Sequence, residues 1–320
     1  FLIELAKLAA ETPEDEPVEL PGSLRALIAA QLDRLSAPQR EIIDNAAVIG
    51  NEGRVEALRR FAQSLGQTYE HEAFAAVCDA GLLVRDVRRW RFRSDVLREV
   101  AYQTLTKQVR AERHAAIADY LFTFERHVVD RRAHHMASAA EIVAELGPLE
   151  GVPADAAERA VGWLEESARH WQLQGAVRRA LEVAERGLRL SEATGRAEHR
   201  SLELLRVDLL YDAHRYREAR EAIIELRPRA EAAGDRVVAA ETARILGMVE
   251  QMEGDLVAAR RELSTAVDEF RALGDEGYLA EALRARGFAE VFGGSLADGE
   301  RFLHEAEALY ADAVDDPRGA

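Results

Sequence analysis

Small and large apolar residues recur about every 40 residues in the second half of the chain. The matched positions agree in residue type or size and lie 40 residues apart: Gly234-Asp235 and Gly274-Asp275, Gly247 and Gly287, Gly254 and Gly294, Leu263 and Leu303, and Phe270 and Tyr310. Earlier matches are offset by 39 residues from Ala180 to Ala219 and by 40 from Ala219 to Ala259. Self-similarity at such a period predicts four repeated units, over about 158–195, 198–234, 237–274 and 277–312.

Each unit is predicted to consist of two helices joined by a turn. A glycine such as Gly254 would turn the chain, and small residues would lie where the helices cross. The Gly-Asp pair would end one helix and cap the next, because glycine adopts the left-handed turn and aspartate accepts hydrogen bonds from free N–H groups. Such pairs bury their apolar faces only by stacking, so we expect a right-handed solenoid with a concave groove. The pattern resembles tetratricopeptide repeats, with a longer period and with Gly299 in place of the expected alanine.

The first third of the chain predicts a small module of helices and one β-hairpin. Ser23 is placed to cap a helix whose apolar residues share one face: Leu24, Leu27, Ile28, Leu32 and Leu35. Ser36 and Gln39 form a capping-box pattern at the start of a second helix, which runs toward Gly50. The predicted core face of that second helix contains Ile42, Ile43, Ala46 and Ala47.

A third helix is predicted from Tyr69 to Ala80, after which the apolar period becomes that of a strand. Over residues 82–93, Trp90 and Phe92 alternate with arginines, as in a two-stranded hairpin. Ser94 is placed to cap another helix. The predicted fold is therefore mainly α, with a winged-helix-like module containing one β-hairpin over residues 23–110. Tetratricopeptide-like helix pairs forming an α-solenoid are predicted over residues 111–320.

Several segments resemble bacterial signal-transduction ATPases of the AAA/STAND type, which are multidomain regulators. The matching segments are Leu20–Leu35, Ala46–Gly50, Phe92-Arg93 with Leu97–Tyr102, Arg113-His114 with Ile117-Ala118, and Ala133–His135. The resemblance implies that residues 1–22 are the end of an ATPase lid and a linker, and that the ATP- and Mg²⁺-binding domain lies upstream. Some members of that family carry an adenylate or guanylate cyclase domain, and others a LuxR-type DNA-binding domain. Ser94 stands where the family usually has a histidine, which puts any switch role for that position in doubt.

Composition and charge favour a folded interaction protein. A chain of 320 residues with 48% hydrophobic residues can form packed cores. Its net charge of -16 argues against a surface that binds nucleic acid throughout. The single cysteine, Cys78, excludes an intrachain disulfide and is typical of a cytoplasmic protein. The sequence contains no apolar run of the roughly 18 to 20 residues needed to span a membrane, so we expect no membrane partner.

The sequence lacks the motifs of common enzyme classes. Neither Lys7 nor Lys107 follows a glycine, so a phosphate-binding loop is missing and we expect neither a cofactor nor catalysis in this fragment. His71 begins a zinc-protease-like segment that lacks its second histidine, so no metal site is expected there. Other conspicuous residues are predicted to pack the structure rather than to bind ligands: Cys78, His134, His135, Trp163 and Trp171.

The first candidate binding surface is the predicted groove. The repeat register places large or charged side chains along its inner helices: Arg244, Met248, Gln251, Met252, Arg284, Phe288 and Phe292. Such side chains suit a protein or peptide partner, although Phe288 and Phe292 would also suit packing against a following repeat. We expect alanine at Arg244 and Met248 to weaken partner binding with little loss of thermal stability.

The second candidate is the basic hairpin, which contains Arg85, Arg88, Arg89, Arg91 and Arg93. Residues 81–113 contain nine basic and four acidic side chains, a local charge of +5. These arginines would contact either an acidic surface of the upstream ATPase domain or the phosphates of DNA, as part of a transcriptional regulator. The leading hypothesis is a regulatory arm, in which a partner in the groove shifts the winged helix against the ATPase.

Overall fold

Helices account for most of the residues that the structure describes, which are 22–195 and 199–315. Within those ranges this computed structural model contains fifteen helices and one three-stranded antiparallel sheet. The chain divides into two units, Phe1–Ala156 and Ala157–Ala320. The predicted lid helix and linker lie, up to residue 21, outside the described residues.

The first unit combines helices with the sheet. Its elements are α1 (Gly22–Leu32), α2 (Ala37–Ile49), β1 (Glu52–Arg54), α3 (Val55–Ser64), α4 (His71–Asp79), β2 (Leu83–Asp86), β3 (Arg89–Phe92), α5 (Asp95–Thr104), α6 (Lys107–Phe124) and α7 (Val129–Leu146). The Ser36 N–H donates to Oε1 of Gln39 at 3.0 Å, as the capping box predicts. Oγ of Ser94 accepts from the Leu97 N–H at 3.3 Å, so Ser94 is the helix cap that the sequence predicts.

The sheet has three strands, whereas the sequence pattern predicts two. The strand order is β1-β3-β2, with β3 antiparallel to both neighbours. Gly53 of β1 pairs with Trp90 of β3, and a Cβ at Gly53 would lie 3.0 Å from the indole ring. Sequence reasoning misses β1 because its three residues, two of them charged and exposed, show no apolar alternation. It also misses α3, which follows β1 without a break.

The core of the first unit forms around Trp90 and Phe92, which lie on one face of β3. The prediction for α1 is wrong at Leu27, whose side chain is exposed. Ile28 and Leu32 are buried in the core, and Ala29 and Leu35 are partly buried against it. The same buried cluster contains all four predicted core residues of α2: Ile42, Ile43, Ala46 and Ala47.

Helices α6 and α7 belong by their contacts to the first unit, whereas the predicted boundary starts the repeats at residue 111. Ala111 is buried within α6 and does not lie at a junction. Helix α6 packs against α2 and α3. The apolar cluster that joins these helices contains Val48, Phe61, Leu105, Ile117 and Leu121. This shared core explains why the first unit extends to Ala156.

The second unit is an α-solenoid of tetratricopeptide-like helix pairs. Its helices are α8 (Ala156–Leu173), α9 (Val177–Ala193), α10 (Arg200–Asp212), α11 (Tyr216–Ala232), α12 (Arg236–Glu253), α13 (Leu256–Leu273), α14 (Glu276–Phe292) and α15 (Leu296–Asp315). From α9 onward each helix packs against the next, and α12 also contacts α10 and α14. The first helices of the pairs are therefore neighbours, as a stacked repeat requires.

Turns with positive φ connect the helices of the solenoid. The φ angles are 72°, 89° and 72° at Gly234, Gly254 and Gly274. The next residue caps the following helix, with backbone N to carboxylate O distances of 3.3, 3.0 and 3.1 Å at Asp235, Asp255 and Asp275. His214 occupies the corresponding turn between α10 and α11 with a φ of 58°. The predicted Gly-Asp turns are therefore confirmed.

Glycines also permit the close crossing of two helix pairs. A Cβ at Gly247 would lie 2.6 Å from Cγ of Leu263, and a Cβ at Gly287 would lie 2.7 Å from Cγ of Leu303. Since both distances are far below van der Waals contact, any larger residue would push the helices apart. The repeated glycine and leucine therefore have the same packing role in consecutive units.

Candidate functional site

A stripe of side chains follows the same side of each first helix of the second unit. On α12 it contains Glu241, Arg244, Met248, Gln251 and Met252. The positions 40 residues later, on α14, are Glu281, Arg284, Phe288, Val291 and Phe292. The positions 40 residues earlier, on α10, are Ser201, Leu204, Asp208, Tyr211 and Asp212. On α8 the equivalent positions, a further 39 residues back, include Glu165, Arg169 and Gln172. We call these four neighbouring stripes the groove.

Arg244 lies at the bottom of the groove and is only 9% exposed. Its guanidinium donates to both carboxylate oxygens of Glu241, at 2.7 and 2.8 Å, and lies 3.7 Å from Asp208 and 3.5 Å from the Met248 sulfur. Burial acts to lower the pKa of Arg244, but the hydrogen bonds and the charge of Glu241 outweigh it and the pKa is raised. These contacts argue against the expectation that alanine at Arg244 costs little stability, because its removal would leave the buried Glu241 unpaired.

The α12 and α14 end of the groove is apolar and open. Met252, Phe288 and Phe292 are 47%, 42% and 67% exposed, although each is a large apolar side chain. Met248 is half-buried and packs against Ala285, Ala289 and Leu263. The described residues leave much of both phenylalanines exposed, so the two roles predicted for them, in a groove or under a further repeat, are both compatible with their position.

The α8 and α10 end of the groove is acidic, which sequence reasoning misses. The Gln172 side-chain amide donates to Asp208 at 2.7 Å and to Asp212 at 3.1 Å. Burial raises the pKa of Asp212; the hydrogen bond from Gln172 lowers it, and the neighbouring charge of Asp208 raises it again. The signal was available, because Asp208 and Asp212 lie 40 residues before Met248 and Met252.

Arg284 lies in a separate ion pair at the other side of the groove. It donates to Glu281 at 2.6 Å, and the Tyr310 hydroxyl donates to the same carboxylate. Burial acts to raise the pKa of Glu281, but the bonds from Tyr310 and Arg284 outweigh it and the pKa is lowered. Gln251, the remaining predicted groove residue, is half-buried on the α12 stripe.

The basic hairpin presents its arginines to solvent. All five predicted side chains are exposed: Arg85, Arg88, Arg89, Arg91 and Arg93. Arg89 forms an ion pair with Glu52 at 2.5 Å. The Arg93 guanidinium folds over Gly81, where a Cβ would lie 3.2 Å from it. The hairpin can therefore offer positive charge to a partner, while Trp90 and Phe92 fix it to the core.

Of the two histidines predicted to pack the helices, His135 is buried and contacts the buried His114, whereas His134 is exposed. Nδ1 of His135 lies 2.9 Å from Nδ1 of His114, whose Nε2 is 2.9 Å from the Tyr102 hydroxyl. Burial holds the pKa of His135 well below its usual range, and the neighbouring His114, His134, Arg131 and Arg98 add to this.

Three other residues are less buried than predicted. Cys78 lies at the edge of the first unit's core, and burial raises the pKa of its thiol. Trp163 and Trp171, predicted to be core residues, are only partly buried.

Within the described part of the chain, no group of three or more His, Cys, Asp or Glu side chains is arranged to hold a metal ion. None of the helices in that part of the chain combines the length and the apolar character that crossing a membrane requires.

Comparison with known proteins finds similarity only at the level of structure. No protein-family model matches the chain, and no curated protein matches it. A STAND protein with a tetratricopeptide repeat sensor from Pyrococcus horikoshii is 13% identical, with a TM-score of 0.41 over 99% of this chain and 51% of that one. The apo form of RapI is 13% identical, with a TM-score of 0.47 over 98% and 71% of the two chains.

The tetratricopeptide protein YrrB, which has a peptide-binding site, is 17% identical, with a TM-score of 0.40 over 64% of this chain and 88% of that one. All three TM-scores are low, so the description of the second unit as a solenoid rests on its own helix packing and repeated turns.

Proposed function

We propose that this chain is the regulatory arm of a multidomain signal-transduction ATPase, and that its repeats bind a protein or peptide in the groove. The observation that carries the proposal is the row of open apolar side chains on consecutive first helices: Met252, Phe288 and Phe292. Apolar side chains aligned across neighbouring repeats offer a partner a continuous surface to bury.

Peptide selection tests the binding function directly. A random dodecapeptide library displayed on phage is selected on the immobilised chain and on a variant with Met252→Ser and Phe288→Ser. Enrichment on the unmodified chain that disappears with this variant is the expected result. The matched control is Ile224→Ser with Val257→Ser, because both are exposed apolar residues on second helices. Enrichment that survives the groove variant, or no enrichment at all, contradicts the proposal.

The first unit would transmit the binding event to the upstream ATPase. Its order of helices and strands, α2-β1-α3-α4-β2-β3, supports the winged-helix-like interpretation. A partner changes the state of such a protein only if it binds one arrangement of the domains better than another. We assign ATP and Mg²⁺ to the upstream domain and no catalytic step to this chain, and we propose a cytoplasmic location, which the single cysteine favours.

The reading frame upstream of Phe1 tests this parentage. A phosphate-binding loop encoded within a few hundred residues is the expected finding, and a cyclase domain beyond it would identify the output. An upstream sequence without any nucleotide-binding motif would refute the assignment to an ATPase.

The exposed arginines of the hairpin favour a second candidate function, DNA binding within a transcriptional regulator. Labelled duplex DNA, titrated with the chain at low and moderate salt, tests it. Salt-sensitive binding that weakens with Arg88→Ala and Arg91→Ala supports contact with phosphates. Without such binding, an acidic surface of the upstream domain is the better partner for these arginines.

A further inference from the structure

The two ends of the groove differ in chemistry although they occupy the same register. The equivalent stripe positions carry Asp208 and Asp212 on α10, Met248 and Met252 on α12, and Phe288 and Phe292 on α14. The groove therefore changes from acidic to apolar within three neighbouring helices. A ligand that buries both ends must itself have two different ends.

The acidic end is only partly neutralised by Arg244, which forms an ion pair with Asp208 and also acts electrostatically on Asp212, as His214 does. Gln172, which bonds both aspartates, is neutral, and within the described ranges no lysine or arginine lies within 4 Å of Asp212. Arg244 is 3.7 Å from Asp208 but bonds Glu241 through two hydrogen bonds. Three carboxylates and one guanidinium leave a formal charge of -2 when both aspartates are ionised. Like charges four residues apart on a helix repel each other, so a cation that contacts both carboxylates beside the Gln172 amide relieves that repulsion.

The acidic and apolar ends are close enough for one short peptide to contact both. Arg244 touches both Asp208 and the Met248 sulfur, so α10 and α12 present the two chemistries side by side. Neighbouring helices lie roughly 10 Å apart, which puts α10 and α14 about 20 Å apart across the groove. An extended chain covers about 3.3 Å per residue, so about six residues span that distance.

From this arrangement we infer that the groove binds a peptide segment with a lysine or arginine near one end and large apolar side chains about three to six residues away. The cationic group lies against the carboxylates of Asp208 and Asp212, beside the Gln172 amide that bridges them, and the apolar side chains cover Met252, Phe288 and Phe292. This inference rests on the proposed function, because it specifies the partner of the same groove. The charge complementarity distinguishes this partner from an acidic or a purely apolar segment.

The sequences enriched from the dodecapeptide library test the inference. We expect lysine or arginine at a fixed distance of three to six residues from leucine, methionine or an aromatic residue. The consensus peptide is then synthesised with a fluorescent label, and its Kd for the full chain is measured by fluorescence anisotropy. The variant Asp208→Asn with Asp212→Asn should weaken this peptide about tenfold or more, and added salt should weaken it on the unmodified chain.

A double-mutant cycle shows whether the cation and the aspartates contact each other. Replacing the basic residue of the peptide by glutamine should raise the Kd for the unmodified chain by the same factor as the aspartate substitutions do. On the aspartate variant the same replacement should change the Kd little further. The matched control is Asp268→Asn with Glu221→Gln, which removes two exposed carboxylates from second helices and should leave Kd unchanged. Circular dichroism confirms that each variant is folded.

The outcomes separate this inference from the function on which it rests. Enriched peptides that depend on Met252 and Phe288 but lack a basic residue would overturn the inference and leave the groove function standing. Equal Kd values for the unmodified chain and the aspartate variant would do the same. Selection that yields no groove-dependent peptide would remove both.

Discussion

The two units bury their apolar residues in different ways. In the first unit, one core cluster draws residues from Ile28 to Ala101, so elements far apart in the sequence share Trp90 and Phe92. In the second unit, each helix packs mainly against the helices next to it in the stack. A closed core covers its own apolar surface, whereas a stack leaves one side of every first helix open. The difference explains why the groove lies in the second unit.

Because the first unit has one shared core, a substitution within that core should destabilise the whole unit. Trp90→Ala removes a side chain that is only 1% exposed, and should cost about 4 kcal/mol of the free energy of unfolding. Urea unfolding followed by far-UV circular dichroism should show the transition of the first unit at lower urea, with that of the second unit unchanged. A shift of both transitions together would mean that the units do not unfold separately.

Breaking one buried ion pair should destabilise the second unit nearly as much. Arg244→Ala leaves the carboxylate of Glu241 buried and unpaired, and we expect a cost of about 3 kcal/mol, measured by urea unfolding. Met252→Ala on the same stripe is the control, and it should change stability by about 0.5 kcal/mol or less, since that side chain is half-exposed. Equal effects would show that Arg244 does not hold the bottom of the groove.

Disturbing the close crossing of two helices should lower the free energy of unfolding by a smaller amount, and only locally. Gly247→Ala places a Cβ 2.6 Å from Leu263 and 3.1 Å from the Ala259 carbonyl, so we expect a loss of about 1 to 3 kcal/mol in a thermal or urea melt. Gly162→Ala in α8 has nothing within 4 Å of its Cβ. That control should gain roughly 0.5 to 1 kcal/mol, because alanine is the better helix former.

The first unit should also respond to acid through His135. Its pKa is lowered in the folded state, so the unfolded chain takes up a proton first and stability falls as the pH drops below about 6.5. His135→Gln should reduce the slope of stability against pH between 6.5 and 5 by up to about 1.4 kcal/mol per pH unit. Urea unfolding at several pH values measures that slope, and equal slopes for the two proteins would contradict the assignment.

The repeat interval predicts most of the second unit because the same physical constraint recurs in each pair. A glycine with positive φ, followed by an aspartate whose carboxylate caps the next helix, leaves a signal that comparison of positions can find. The hairpin of the first unit is predictable for a similar reason, since Trp90 and Phe92 alternate with arginines. The strand β1 is not predictable, because it is held by pairing with β3 and by the space that Gly53 leaves for Trp90.

The candidate site is predictable in position but not in chemistry. The repeat register predicts that Arg244 and Met248 lie on an inner helix, and both lie on α12. It gives no information on which neighbouring side chains they contact. The pair with Glu241 and the approach to Asp208 depend on side-chain conformation and on the spacing of α10 and α12. Asp208 and Asp212 are missed because an aspartate on a helix surface is usually only solvated.

The repeated Gly-Asp junction has a consequence for how such a chain can change length. Excising residues 235–274 would join Gly234 directly to Asp275 and restore the same dipeptide at the new connection. The excision would remove one complete helical hairpin, α12 with α13, and α14 would take the place of α12 beside α10. The architecture is thus modular in steps of forty residues, and duplication or loss of one module would lengthen or shorten the recognition surface without any new loop.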